Sequence, residues 1–265
     1  MRRAAALGAG LLLAAAPALA GPRVLSLDQC ADQYVLALAN PEDIAGVSPR
    51  ADDNDSWLRD QVRDAPRVRA TLEGVSAARP DMVVRYWGGD PRLVGALESR
   101  GVRVIQISDA QDFDGVRSNI ETVAAAMGQT GRGQDLIAGM DRNLVQSRDA
   151  WSGEDALYLT TAGWTTGRGS LIDAMMRAAG LRNGWDGPAY APVSIERLIL
   201  QPPRRYVLGF FDALRADRRG VGRHPSVRRR TATRAIVSLP GSMLGCPAWF
   251  VADGSRRIAR AAHTR

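Results

Sequence analysis

Short apolar runs alternate with amphipathic ones along this chain. "RVLSL" (23–27) has the length of a buried strand, and after a polar turn "CADQYVLALA" (30–39) has the spacing of a helix. "DIAGVS" (43–48), "MVVRYW" (82–87) and "VRVIQI" (102–107) predict three more strands. Between the last two, "PRLVGALESRG" puts Leu93, Ala96 and Leu97 on one helical face and stops at Gly101, a suitable C-terminal glycine. Apolar strands alternating with helices predict a parallel sheet covered by helices.

A helical tract from Phe113 to Trp151 follows, in which Gly128, Gly131 and Gly133 predict a break. Its second part carries Leu136, Ile137, Met140 and Leu144 at helical spacing and contains no proline. It has the length to serve as a stiff strut between two lobes. The alternation then restarts. "DALYLTT" (155–161), "RYVLGFF" (205–211) and "RAIVSL" (234–239) predict strands, "SLIDAMMRAAG" (170–180) a helix, and "PAWFVADGSRRIARAA" (247–262) a terminal helix. The restart echoes the first half. "LEGVSAARPDMVV" from Leu72 and "IERLILQPPRRYVL" from Ile195 each place a Glu in the first turn of a short helix, a Pro seven residues later and then an apolar strand. Glu73 corresponds to Glu196, and Pro80 to Pro203, as in a duplicated lobe.

The N-terminus narrows the compartment. "MRR" is a positive n-region, "AAALGAGLLLAAAP" an apolar h-region, and "ALA" (18–20) fits a cleavage site, so residues 1–20 are read as a signal peptide and the product as exported to the periplasm. Cleavage there removes Arg2 and Arg3 from a formal charge of +7, all of whose basic residues are arginine. "RADRRGVGRHPSVRRR" (215–230) is densely basic. It lacks interleaved aromatics, and an exported chain does not meet nucleic acid, so it is read as a solvated loop. Cys30, at the head of the first predicted helix, is open to three readings: nucleophile, metal ligand or disulfide partner of Cys246. The only histidines, His224 and His263, lie near the C-terminus and are a thin supply for a Cys-His pair or a zinc site.

Taken in order and spacing, "RVLSLDQCADQYVLALANPEDIAGVS", "LEGVSAARPDMVVRYWGG", "LESRGVRVIQI", "GSLIDAMMRAAGLRN" and "APVSIERLILQPPRRYVLG" resemble the substrate-binding proteins of bacterial ABC importers for ferric siderophores, haem and cobalamin. The resemblance covers nearly the whole chain after the signal. It implies an α/β fold of two Rossmann-like lobes joined by a single long helix, the helical-backbone form of periplasmic binding protein. On this chain that means an N-terminal lobe over 21–131, a connecting helix over 132–151 and a C-terminal lobe over 152–265. It also implies a metal-chelate ligand in the interlobe cleft, a corrinoid first and then haem or a ferric siderophore. The partner is a permease and ATPase complex in the inner membrane; no protein cofactor and no resident metal are expected, and the chain is expected to be a monomer. In this family a carboxylate on each lobe docks onto permease arginines, and Glu73 and Glu196 match those positions.

Ligands of open α/β sheets gather beyond the carboxyl ends of the strands. Eight of the fifteen aromatics fall in those loops. The expected cleft set is Asp28, Gln29, Trp57, Arg85, Tyr86, Trp87, Trp164, Arg168, Trp185, Tyr190 and Phe211; Phe210 and Tyr206 are assigned to the lobe core. "GRGSLI" (167–172) opens like a dinucleotide loop, but Ile172 stands where the third glycine belongs; Ser170 as a helix cap is the reading adopted. "ADDNDSW" (51–57) lacks the glycine and glutamate of a calcium loop. Two competing functions are a secreted enzyme, with Cys30 as nucleophile or a carboxylate pair as acid and base, and a sensor-type binding subunit. The enzyme requires a base near Cys30, and none stands at a recognisable spacing. With only two cysteines in an exported chain, a Cys30–Cys246 disulfide is expected.

Overall fold

The structure, a computed structural model, describes residues 21–212 and 219–264. The signal-peptide reading falls on residues 1–20, outside the described residues.

The first lobe is a parallel sheet of β1 (Val24–Ser26), β2 (Ile44–Gly46), β3 (Met82–Arg85) and β4 (Arg103–Gln106), in the order β2-β1-β3-β4. Helices α1 (Gln29–Leu38), α2 (Leu72–Ala78), α3 (Pro91–Glu98) and α4 (Phe113–Ala126) accompany it. After α5 (Thr130–Val145) the second lobe repeats the plan with β5 (Asp155–Thr160), β7 (Arg182–Asn183), β9 (Arg205–Gly209) and β10 (Ala235–Leu239), ordered β10-β9-β5-β7 and parallel throughout. A small antiparallel ribbon of β6 (Trp164–Thr165) and β8 (Ala191–Pro192) sits beside it. Helices α6 (Leu171–Ala178), α7 (Ile195–Leu200), α8 (Pro225–Arg234), α9 (Gly241–Leu244) and α10 (Val251–Ala261) complete the lobe.

Several elements depart from expectation for identifiable reasons. The tract 113–151 breaks at Gly128, at φ +70°, while Gly131 and Gly133 lie inside α5. Gly133 is there because α5 lies against α4: a Cβ would come 2.7 Å from that of Ala124. The connecting helix therefore runs Thr130–Val145, roughly 24 Å long, and not over 132–151. Trp151 is instead a buried anchor, its Nε1–H donating to the Ile258 carbonyl at 2.8 Å. Of the basic segment read as a loop, 215–218 lie outside the described residues, and from Pro225 it forms the first part of α8, which starts behind a His224 cap and is held by the buried Val227 and Thr231 one turn apart. The terminal helix starts at Val251, four residues later than expected, because Cys246–Phe250 form the turn that meets the first lobe.

That meeting is a seam. Cys30, at the head of α1, is joined to Cys246 with a Cα–Cα distance of 5.3 Å, and no described cysteine is free. Tyr34 Oη donates to the Pro247 carbonyl at 2.5 Å, Trp57 stacks on Phe250 at 5.0 Å, and Trp249 meets Tyr34 and Phe250 edge-on. Buried apolar residues from Val24 to Ile258 form one continuous cluster through this seam, with Met140 of α5 inside it. Among the described residues no helix is long and apolar enough to cross a membrane.

Candidate functional site

Between the lobes, beyond the carboxyl ends of both parallel sheets, lies a cleft of about 540 Å³. The first lobe contributes Tyr86 from the turn after β3, and Asp109 and Gln111 from the loop after β4. The second contributes Tyr158 of β5, Thr166 and Ser170 before α6, Tyr190 before β8 and Phe210 after β9. Cys246, Pro247 and Val251 complete the lining, so the seam borders the cleft.

The Tyr86 turn is built by Asp28. This buried carboxylate caps α1, accepting the amides of Cys30 and Ala31 at 3.0 Å each through Oδ1. Its Oδ2 accepts the amides of Tyr86, Trp87 and Gly88 at 2.7, 3.1 and 2.8 Å. Those bonds turn the chain away from the sheet, which is why β3 stops at Arg85 and not at Trp87 as its apolar pattern suggests. Arg85 closes the turn from inside, donating to the carbonyls of Gly88 at 2.6 Å and Gly89 at 3.0 Å. Tyr86 itself donates its phenolic proton to Asp109 Oδ1 at 3.0 Å. Burial, together with the Asp109 charge, pushes its pKa up to about 12, so the free site holds a neutral phenol.

Facing it, Tyr190 and Trp164 stack on each other at 5.1 Å, and both are exposed. Tyr158 is fully buried, and burial raises its phenol far above the usual range. Phe210, assigned to the core from sequence, turns into the cleft at φ +63°, whereas Tyr206 is a buried core residue as assigned.

The expected ligand set divides accordingly. The structure places Tyr86 and Tyr190 on the cleft wall, Trp164 against Tyr190, and Trp87 on the surface beside the Tyr86 turn, 54% exposed. The others do not line it. Asp28 and Arg85 are occupied in shaping the turn. Gln29 is buried and donates to Asp55 at 2.7 Å, and Trp57 belongs to the seam. Trp185 is buried in the second lobe's core, with Arg197 over its ring at 4.3 Å, and Phe211 packs on that same core. Arg168 points into a separate surface groove beside Arg182 and Asn183. Asp109, Gln111 and Thr166 were not singled out. Asp109 and Gln111 follow β4 and Thr166 precedes α6, positions that fit a cleft wall, but their residue types carry no signal that sets them apart in sequence.

The remaining predicted residues are far simpler. Glu73 and Glu196 each occupy the second position of a short helix, behind the caps Thr71 and Ser194. Both are exposed, and neither has an ion-pair partner among the described residues. The disulfide leaves Cys30 without the thiol that a nucleophile requires, which removes the enzyme reading built on it. No group of three or more His, Cys, Asp or Glu among the described residues is placed to hold a metal ion.

Two parallel-sheet lobes, one connecting helix and an aromatic-walled cleft between them define a two-lobed solute-binding protein. The chain belongs to the periplasmic binding protein family, whose model matches residues 24–208. It is similar to an uncharacterized ABC transporter substrate-binding lipoprotein, YvrC, of Bacillus subtilis, with 21% identity over 183 residues, 62% of this chain and 57% of that one. The chain thus matches a little over half the length of that curated relative. Among solved structures it is similar to the apo form of the periplasmic haem-binding protein RhuT from Roseiflexus sp. RS-1, at TM-score 0.70 and 21% identity, covering 92% of this chain and 99% of that one. It is also similar to the periplasmic vitamin B12 binding protein BtuF of Vibrio cholerae, at TM-score 0.68 and 17% identity, covering 92% and 97%. At these identities the likeness shows the fold.

Proposed function

We propose that this protein captures a tetrapyrrole-type metal chelate in its interlobe cleft, outside the cytoplasmic membrane, and delivers it to an ABC permease. The observation that carries the reading is the pairing of Tyr86 on one lobe with the Tyr190–Trp164 stack on the other, across a cleft of about 540 Å³. Flat aromatic walls on two rigid lobes suit a planar macrocycle, which they desolvate on both faces. Tyr86 adds a phenolic oxygen whose proton Asp109 already accepts, a suitable donor for a ferric centre. On that ground haem is proposed ahead of a corrinoid or a ferric siderophore, and relatives named for haem and vitamin B12 support the class of ligand.

Glu73 and Glu196 are proposed as the contacts to the permease. They lie on equivalent helices of the two lobes, exposed and without a partner, and a matched pair of rim charges steers encounter and fixes register. A visible absorbance titration with ferric haem, cobalamin and ferric chelates tests the ligand class. Ferric haem is expected to bind with a tyrosinate-type spectrum that Tyr86→Phe abolishes; binding of none of the three would reject the proposal.

A further inference from the structure

The second-lobe wall of the cleft is also the start of a helix. Residues Gly169, Ser170, Leu171 and Ile172 all line it, and α6 begins at Leu171. Ser170 is fully used as the cap: its hydroxyl accepts the Asp173 amide at 3.1 Å and donates to the Gly167 carbonyl at 2.8 Å. The amides of Leu171 and Ile172 have no acceptor within the helix, as the first turn of any helix dictates, and none among the other described residues. They sit at the positive end of the α6 dipole.

An independent feature points to the same place. Thr166 lines the cleft, is 3% exposed, and its Oγ1 has no hydrogen-bond partner. A buried hydroxyl left unmade is costly unless a group from outside completes it. The framework around it is fixed. Asn183 donates to the Thr166 carbonyl at 2.9 Å and to Asp173 Oδ1 at 3.1 Å, tying the loop to the helix it precedes. Asp173, the one acidic group in the first turn, is paired with Arg177 at 2.9 Å, so its charge is offset. The opposite wall is acidic, where Asp109 accepts from Tyr86.

We infer that the Thr166 hydroxyl and the Leu171 and Ile172 amides form a subsite for an anionic oxygen, a carboxylate or phosphate carried on the ligand's periphery. The cleft is then polar from wall to wall: acidic at Asp109, donor-rich at the α6 terminus. A chelate with a peripheral acid enters in one orientation, its acid toward the second lobe and its metal face toward Tyr86. The inference deepens the binding function proposed above and rests on it for the identity of the carrier.

Two measurements test it separately. In the first, amide NMR of the whole protein is followed while inorganic phosphate, and in a second sample acetate, is added. The Leu171 and Ile172 amides are expected to shift and saturate, with affinity about tenfold weaker in Thr166→Val and restored in Thr166→Ser. Amides unmoved by both anions, or a Thr166→Val protein that titrates like wild type, would overturn the subsite. In the second, ferric protoporphyrin IX is compared with its dimethyl ester. The free acid is expected to bind at least tenfold tighter, and Thr166→Val to erase the difference; equal binding of acid and ester would overturn the subsite's role in ligand capture. If neither porphyrin binds the wild-type protein, haem is not the ligand, and the anion titration still decides the subsite.

Discussion

Replacing Asp28 by Asn tests whether one carboxylate builds the ligand-facing turn. The change keeps size and shape and converts one of two acceptor oxygens into an NH₂ donor. Oδ1 serves two amides of α1, and Oδ2 serves three of the Tyr86 turn. Whichever way the Asn amide faces, at least two buried backbone N–H groups meet a donor. Each buried donor left unmade costs about 1–3 kcal/mol, so the loss is about 2–6 kcal/mol. The turn has little room to relax, because Gly88 sits so close to the Leu27 carbonyl and Asp28 Cβ that even a methyl group would collide with them. Urea unfolding of Asp28→Asn should show a lower midpoint at unchanged slope. The variant should also bind ferric protoporphyrin more weakly under conditions where it is fully folded, because Tyr86 loses its backbone anchor. A variant within 1 kcal/mol of wild type, with ligand affinity intact, would refute the argument that Asp28 is the organiser.

Other outcomes follow from the same structure. Asp32 is fully buried among Ser26 and Ser48, and burial pushes its carboxyl up to about 6 from an ordinary 3.8. The folded state therefore binds more protons than the unfolded one between pH 4 and 6, and stability falls as pH rises through that window, by about 3 kcal/mol in all; unfolding curves of Asp32→Asn should lack that slope, and an unchanged slope would show that another group sets it. Reducing Cys30–Cys246, or replacing both by Ser, opens a loop of 216 residues and should lower stability by about 5 kcal/mol in the chain-entropy account, read as a drop in urea midpoint. Reversing both rim charges, with Glu73→Arg and Glu196→Arg, should abolish transport while leaving ligand affinity in solution unchanged; lost ligand binding or normal transport would remove the docking role.

The strands and the major helices were legible because each sheet is covered on both faces, and β1, β3, β5 and β9 are nearly continuous buried apolar runs. Periodicity could not show that Gly133 marks a helix–helix approach, since a glycine chosen for contact and one chosen for a break look alike in sequence. Nor could it reveal α8, whose arginines mask a two-residue buried stripe. For the site, residue type misled where it mattered most. Asp28, Arg85 and Trp185 have the chemistry of ligand contacts but spend it on the protein's own carbonyls, amides and rings. Thr166 has no distinctive chemistry; an unpartnered hydroxyl and a place on the cleft wall together single it out.

The seam constrains how such a cleft works. A covalent bridge, a Tyr34–Pro247 hydrogen bond and a Trp57–Phe250 stack join the lobes beside the ligand space, and α5 packs on both α4 and α10. A hinge at this position would have to break a continuous apolar core, so large closure is opposed by the same burial that stabilises the fold. Affinity is then set by walls that stand before the ligand arrives, which lowers the ordering cost of binding. It follows that release is not achieved by the protein relaxing on its own. On the proposed docking mode, work reaches the cleft from outside through α2 and α7. Those helices carry Glu73 and Glu196 on separate lobes, so a permease holding both can strain the seam that joins them.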